Sequence, residues 1–362
     1  MANFSEVFED VTKEGCKIPK ENYLSKGLYP IFDQGQEYIA GYSNEKAGLF
    51  ENVPAIIFGD HTRIIKYVDT PFFLGADGVK LLRAKIPDAN CKYLYYALCN
   101  AKIPNTGYNR HFKWLKEVDI PLPMAKDQDH IATVLDKVSD LITLRKQQLD
   151  KLDELVKARF VEMFGDPVRN DKNWPIITLG KLAEIRIGPF GTLLHKEDYI
   201  QGGHALVNPS HIVDGKIVID PQLTISNQKY NELIAYALQK GDIVLGRRGE
   251  MGRCAVVQEE GLLCGTGSMI IRPGEQMKPY FLQNIISNPG YKKIIEDKAV
   301  GVTMQNLNVP IVSALTVPLL PLDYQEQYII FIQKIDMQKL TIQQGLDKLE
   351  TMKKALMQQY FG

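Results

Sequence analysis

The chain has 362 residues, 45% hydrophobic and 24% charged, ordinary values for a globular protein long enough to bury two or more cores. Lys plus Arg and Asp plus Glu both number 43, so the composition lacks the basic excess usual in a free-standing nucleic-acid binder. No apolar run approaches ~20 residues, MANFSEVFED has no secretory core, and the five cysteines are spaced too widely for a zinc site or a disulfide framework. The expectation is a cytoplasmic protein with buried thiols and no membrane span, metal or cofactor.

Residues 1–123 read as a mixed domain of short strands. Tyr29–Phe32, Ala55–Phe58, Ile64–Val68, Gly78–Arg83 and Val118–Pro121 are strand candidates, and Lys92–Ala101 is a helix. Gly59-Asp60-His61-Thr62-Arg63 is a polar turn between two apolar strands, with no nucleophile beside it. The loop Thr106–Trp114 interleaves basic and aromatic residues. Charge of this kind holds a phosphate backbone, while amides and rings meet bases, which singles out Tyr108, Asn109, Arg110 and Lys113. The alternative is that Phe112 and Trp114 are core and Arg110 lies on a solvated face.

Residues 124–165 predict one long helix of roughly 35 residues, about 50 Å at ~1.5 Å per residue. Asp127 is placed to cap its start, Gly165 to end it in a left-handed conformation, and Pro167 to forbid continuation. Ile131, Leu135, Val138, Ile142, Leu149, Leu152, Val156, Phe160 and Met163 form a narrow seam, the pattern of a coiled coil that needs a partner.

Residues 166–318 repeat the plan of the first domain with a longer insert. Ile177–Ile187 is strand-like, and Gly188-Pro189-Phe190-Gly191-Thr192 is a turn without the phosphate-loop pattern. In Gly241–Arg253, GDIVLGRRGEMGR, a buried strand ends in a glycine-rich turn bearing Arg247, Arg248 and Arg253. Glycine allows close approach and arginine forks onto phosphate or guanine, although a surface hairpin with salt-bridged arginines has the same sequence. Asn288–Lys298 is helical. The amide-rich loop Thr303–Asn308, with Gln305 and Asn306, holds the same relative place as the Tyr108–Trp114 loop.

Residues 319–362 supply the partner. Shifted by 197 positions, Pro318–Gly362 lies on Pro121–Gly165 without a gap and with thirteen identities in 45 positions, among them Gln128 with Gln325 and Phe164-Gly165 with Phe361-Gly362. This is a duplicated module rather than a solenoid. Gly345 in its middle costs about 1 kcal/mol against Ala. The expected architecture is α+β: two similar domains separated by two long helices paired as an antiparallel coiled coil, with pseudo-twofold symmetry.

No Walker motif, His-Glu-x-x-His, nucleophile elbow or adenine-methyltransferase tetrad occurs, so the sequence suggests a scaffold that binds while chemistry is supplied elsewhere. The order of domain, helix, domain, helix resembles the specificity (S) subunit of type I restriction–modification systems. KLDELVKARFVEMFGDP followed by NWPIITLGKLAEI is similar to that family's central conserved region. GPFGT at 188–192, GDIVLGRRGEMGR at 241–253 and QNLNVPIVSALTVPLLPLDYQEQ at 305–327 are similar to its recurring motifs.

The resemblance implies target recognition domains at 1–123 and 166–318, and conserved helices at 124–165 and 319–362. The domains would each read half of a split double-stranded DNA target, with helix length setting the spacer; half-sites on one face of DNA want centres ~34–36 Å apart. It implies two modification subunits that hold S-adenosylmethionine and methylate adenine, and restriction subunits that translocate and cleave, this chain being non-catalytic. The alternative from another class is a coiled-coil protein-interaction scaffold without DNA binding; a self-contained modification enzyme would lack its motifs.

Overall fold

A computed structural model describes residues 1–75, 78–249, 251–299 and 306–362. The chain divides into two compact units, Met1–Gln148 with Ile342–Gly362, and Leu149–Thr341. Two 40-residue helices, Ala125–Phe164 and Leu322–Phe361, each contribute one end to each unit.

In the first unit, strands Phe8–Asp10, Val79–Ala84, Ala55–Gly59 and Ile65–Val68 lie in that order in an antiparallel sheet. Every residue of Ala55–Gly59 is buried, because both faces of this strand are covered. Ile56 and Phe58 face a core built with Tyr93 and Leu94 of the helix Cys91–Cys99 and with Ile131, Ala132 and Leu135 of the first long helix. Ala55 and Ile57 face a second core with Phe32, Phe72 and Leu74. The residues alternate between the two cores as a strand's period of two requires. A smaller sheet, Gly41–Ser43, Tyr29–Phe32 and Phe73–Leu74, has one antiparallel and one parallel pairing.

The second unit repeats this plan. Ala183–Ile187, Ser268–Pro273, Ile243–Gly246 and Cys254–Val256 form the equivalent sheet in the equivalent order. Ile243 and Leu245 join a core with Phe281 and Leu282 of the helix Pro279–Ser287, while Val244 joins the other. The parallel pairing recurs between His204–Val207 and Leu263–Cys264. Even the tyrosine lock is repeated: Tyr93 donates from its hydroxyl to the Pro121 carbonyl at 2.9 Å, and Tyr291 to the Thr316 carbonyl at 2.9 Å.

The long helices run antiparallel within each unit. In the first, Lys146 Nζ lies 3.0 Å from Glu350 Oε1, and Leu356, Met357, Tyr360 and Phe361 cover the core that holds Leu135. In the second, Lys339 pairs with Asp153, and Phe160 and Phe164 meet the Tyr328 ring edge-on at 5.5 and 5.2 Å. None of the nine seam residues is exposed: Ile131, Leu135, Val138 and Phe160 are buried and the rest half-buried, as a two-helix seam demands.

The glutamines shared by the two repeats are structural. Gln128 and Gln325 are buried at the starts of the two long helices. Each accepts the backbone N–H at the head of its unit's core helix, from Asn90 at 3.0 Å and from Lys278 at 2.8 Å, and donates back to the Pro123 or Leu320 carbonyl. A buried amide that satisfies both chains is costly to replace, since removing it orphans donors and acceptors together.

Several local expectations change. The first long helix starts at Ala125, so Asp127 lies inside its first turn rather than capping it, with its charge at the amide-positive end. Gly165 ends the helix as expected, at φ +77° with its N–H bonded to the Val161 carbonyl; a Cβ there would come within 1.9 Å of Asp171 Oδ1. Ile177–Ile187 is not one strand, because a helical turn, Leu179–Leu182, separates Ile176–Thr178 from Ala183–Ile187 and buries Leu179 and Leu182. Pro279–Ser287 is an additional helix before Pro289–Lys298. Of the five free cysteines, Cys254 and Cys264 are buried as whole residues, and burial pushes the thiols of Cys91, Cys99 and Cys254 up to about 11.

Candidate nucleic-acid interface

In the second unit the strand Ile243–Gly246 delivers Arg247 to the end of a hairpin whose other strand starts at Cys254. The Arg247 N–H donates to the Gly267 carbonyl at 3.0 Å, and its own carbonyl accepts the Leu307 N–H at 3.1 Å. Its guanidinium donates from Nε to Asn306 Oδ1 at 3.0 Å. Arg247 is only 8% exposed, and among the described residues no carboxylate pairs with it. Burial pushes its pKa down, and the neighbouring Arg248 pushes the same way. A desolvated cation held by a neutral amide keeps donors for an anionic or acceptor-rich ligand.

Arg248 and Gly249 are exposed beside it. Arg253 is half-buried and lines a groove of about 250 Å³ with Asp214, Ser287 and Lys292. The structure therefore brings Arg247 and Asn306 together and leaves Arg253 with a different set of neighbours. Gln305 lies outside the described residues.

In the first unit the loop residues Tyr108, Asn109, Arg110 and Lys113 are exposed, Tyr108 by 86%. Asn109 donates from Nδ2 to the Thr106 carbonyl, which shapes the loop locally, and Lys113 Nζ sits 4.1 Å from the centre of the Trp114 ring. Phe112 is core, as the alternative reading of this loop had it, and stacks edge-on against Phe4 at 5.9 Å.

The loop is tied to the polar turn that carries Asp60. The Asp60 carbonyl accepts the His111 N–H at 2.7 Å and Nδ1 of the buried His111 ring lies 3.0 Å from it. The Asp60 carboxylate accepts the Phe112 N–H at 2.8 Å. His61 stacks flat on Tyr108, with ring centres 4.6 Å apart and 9° between planes. Nothing in the local sequence signalled this; the only hint was that Asp60 follows a fully apolar strand, as Arg247 does. Among the described residues no three His, Cys, Asp or Glu side chains are grouped to hold a metal ion.

The sequence model of the type I restriction modification DNA specificity domain matches this chain twice, over residues 2–154 and 171–351. The chain belongs to that family of type I specificity (S) subunits. This S subunit is 21% identical over 291 residues to the MjaVIII specificity subunit of Methanocaldococcus jannaschii, covering 73% of this chain and 68% of that one. It is 27% identical over 161 residues to the EcoR124I/EcoR124II specificity subunit of Escherichia coli, 39% of each chain. Among solved structures, the S subunit from M. genitalium shares its fold at a TM-score of 0.63 and 17% identity, over 98% of this chain and 94% of that one. A chain from structures of type I complex assembly and conformational transition gives 0.57 at 16% identity, over 99% and 95%. DNA target recognition is the function of this family's domain, and the S subunit carries two copies of it on the two units described above.

Proposed function

We propose that this S subunit reads a bipartite double-stranded DNA target. The domain at 1–123 would read one half-site with Tyr108, Asn109, Arg110 and Lys113, and that at 166–318 the other with Arg247, Arg248, Arg253, Gln305 and Asn306. The helices at 124–165 and 319–362 fix the spacer. In this reading two modification subunits bring S-adenosylmethionine and methylate adenine, restriction subunits cleave, and this chain supplies the choice of sequence rather than the chemistry, within the cytoplasm.

The supporting observation is the Arg247–Asn306 arrangement. A buried guanidinium without an acid partner among the described residues costs stability unless a ligand uses it. Guanine N7 and O6 are the acceptors such a fork fits, and Asn pairs with adenine. Partner binding is supported by apolar residues left open on the long helices: Leu141 and Leu144 on the first, Met337 and Leu340 on the second. Those residues suit a protein-interaction scaffold equally well, so the DNA is what the experiment must address.

The test is to express the S subunit with its modification subunits and map methylated adenines across a genome. Two short half-sites at a fixed spacing are expected. Methylation without sequence preference, or at one contiguous site, would refute the reading, and a complex that assembles but neither binds nor marks DNA would favour the scaffold.

A further inference from the structure

The hydrogen bonds that place Arg247 recur around Asp60. Asp60 follows the strand Ala55–Gly59 as Arg247 follows Ile243–Gly246. Its N–H donates to the Gly78 carbonyl at 2.7 Å, as that of Arg247 does to Gly267 at 3.0 Å. Its carbonyl accepts the His111 N–H, as that of Arg247 accepts the Leu307 N–H. Gly59 pairs with Val79, as Gly246 pairs with Ser268, so the register also agrees. The two turns are the same device in two units, and the residue one step further on is His61 in the first and Arg248 in the second.

His61 is held in place for use. Its N–H donates to Gln34 Oε1 at 3.2 Å, and its ring lies so close over Gly78 that a Cβ there would come within 2.8 Å of Cδ2. Gly78, at φ +86°, can take no side chain without displacing the imidazole. One ring face carries Tyr108, which is itself almost fully open to solvent. Nδ1 is enclosed and has no hydrogen-bond partner among the described residues, which leaves the Nε2 edge for recognition.

We infer that His61, stacked on Tyr108, is a specificity-determining residue of the first domain, presenting its imidazole edge to a base edge where the second domain presents Arg248. The inference rests on the DNA-reading function proposed above. The two domains then differ in chemistry at equivalent positions. Arg248 offers donors alone, which suits guanine, whereas the one open imidazole nitrogen, Nε2, donates or accepts according to the tautomer and admits other bases. Tyr108 fixes the ring and walls the site on one side.

The test uses the complete complex with its modification subunits and a library randomised in both half-sites, read by methylation-sensitive sequencing. The wild-type pattern decides the parent reading: without two half-sites, that reading fails. Given two half-sites, His61→Ala is expected to flatten one position in a single half-site, from roughly a 10-fold preference or more toward none, and to leave the other half-site intact. His61→Arg is expected to move that same position toward guanine, and it carries the test should the alanine variant fail to assemble. An unchanged preference in His61→Arg, or a uniform loss across all sequences in His61→Ala, overturns the assignment while leaving the bipartite reading standing.

Discussion

Asn306 Oδ1 accepts from Nε of Arg247 across a gap of 59 residues in sequence, which joins the loop before the second long helix to the hairpin of the central sheet. This bond orients a guanidinium that burial alone would leave without direction. Replacing Arg247 by Ala in the assembled complex is expected to weaken cognate DNA binding by about 1–3 kcal/mol and relax one position of the target. Asn306→Ala should lose part of the same energy, so the double variant falls short of the sum by ~0.5 kcal/mol or more. Competition binding with cognate and shuffled duplexes measures the cycle, and strict additivity would mean that the pair does not act together.

Gln325 is fully buried and satisfies three backbone groups: the Lys278 N–H and the carbonyls of Leu320 and Gln276. Gln325→Leu keeps most of the volume and removes all three bonds. A loss of about 2–4 kcal/mol is expected, since each orphaned buried group costs ~1–3 kcal/mol before relaxation. Hydrogen exchange should locate the damage at the helix Pro279–Ser287, leaving Cys91–Cys99 protected. Gln128→Leu should reverse the pattern; equal loosening of both helices in either variant would contradict this role.

Phe160 packs on Phe164, Tyr328 and Phe281, with ring centres 5.1, 5.5 and 6.0 Å away. Phe160→Ala opens a cavity in that cluster and is expected to cost ~3–5 kcal/mol. Leu152→Ala, at a half-buried seam position, should cost less than half as much. Denaturant melts of the two variants give the comparison, and equal costs would show that the seam, rather than the aromatic cluster, anchors this end.

Asp10 responds to pH. Burial raises the pKa of its carboxyl, but hydrogen bonds from Thr12 and Lys80 outweigh this and hold it below its ordinary value. The folded form thus binds this proton more weakly than the unfolded form. Its contribution to stability is complete above the unfolded pKa and disappears as pH falls through the lower folded one. Asp10→Asn should therefore be less stable than wild type at pH 7, with the gap closing in acid. Urea midpoints at pH 7 and pH 3 measure this; a gap that does not narrow would exclude the Thr12–Lys80 network as its source.

The helices were legible because identity survives where geometry forbids insertion. Phe164-Gly165 and Phe361-Gly362 stand at the same shift as Pro121 and Pro318, since a gap in either helix would rotate its seam. The duplicated α+β plan and the long helix pair followed from that register. Equivalence of the Asp60 and Arg247 turns was hidden for the opposite reason. Loops of unequal length precede them, and an acid stands where the other copy has a base, so residue types disagree where backbone hydrogen bonds coincide. The helical turn Leu179–Leu182 was missed because Leu179 continues the alternation of Ile177, Ala183, Ile185 and Ile187, and only Leu182 breaks it. Arg247 and Arg248 look alike in sequence; only the structure separates the buried one from the exposed one.

The helix exchange between units has a consequence for synthesis. Leu356, Met357, Tyr360 and Phe361 cover the core around Tyr93, and Asn100 donates to the Phe361 carbonyl at 3.1 Å. Every residue of the second unit has been synthesised by Thr341, while the first unit still waits for Ile342–Gly362. The first unit is therefore closed by residues made after every residue of the second, so its core cannot be complete until the second unit's chain is already made.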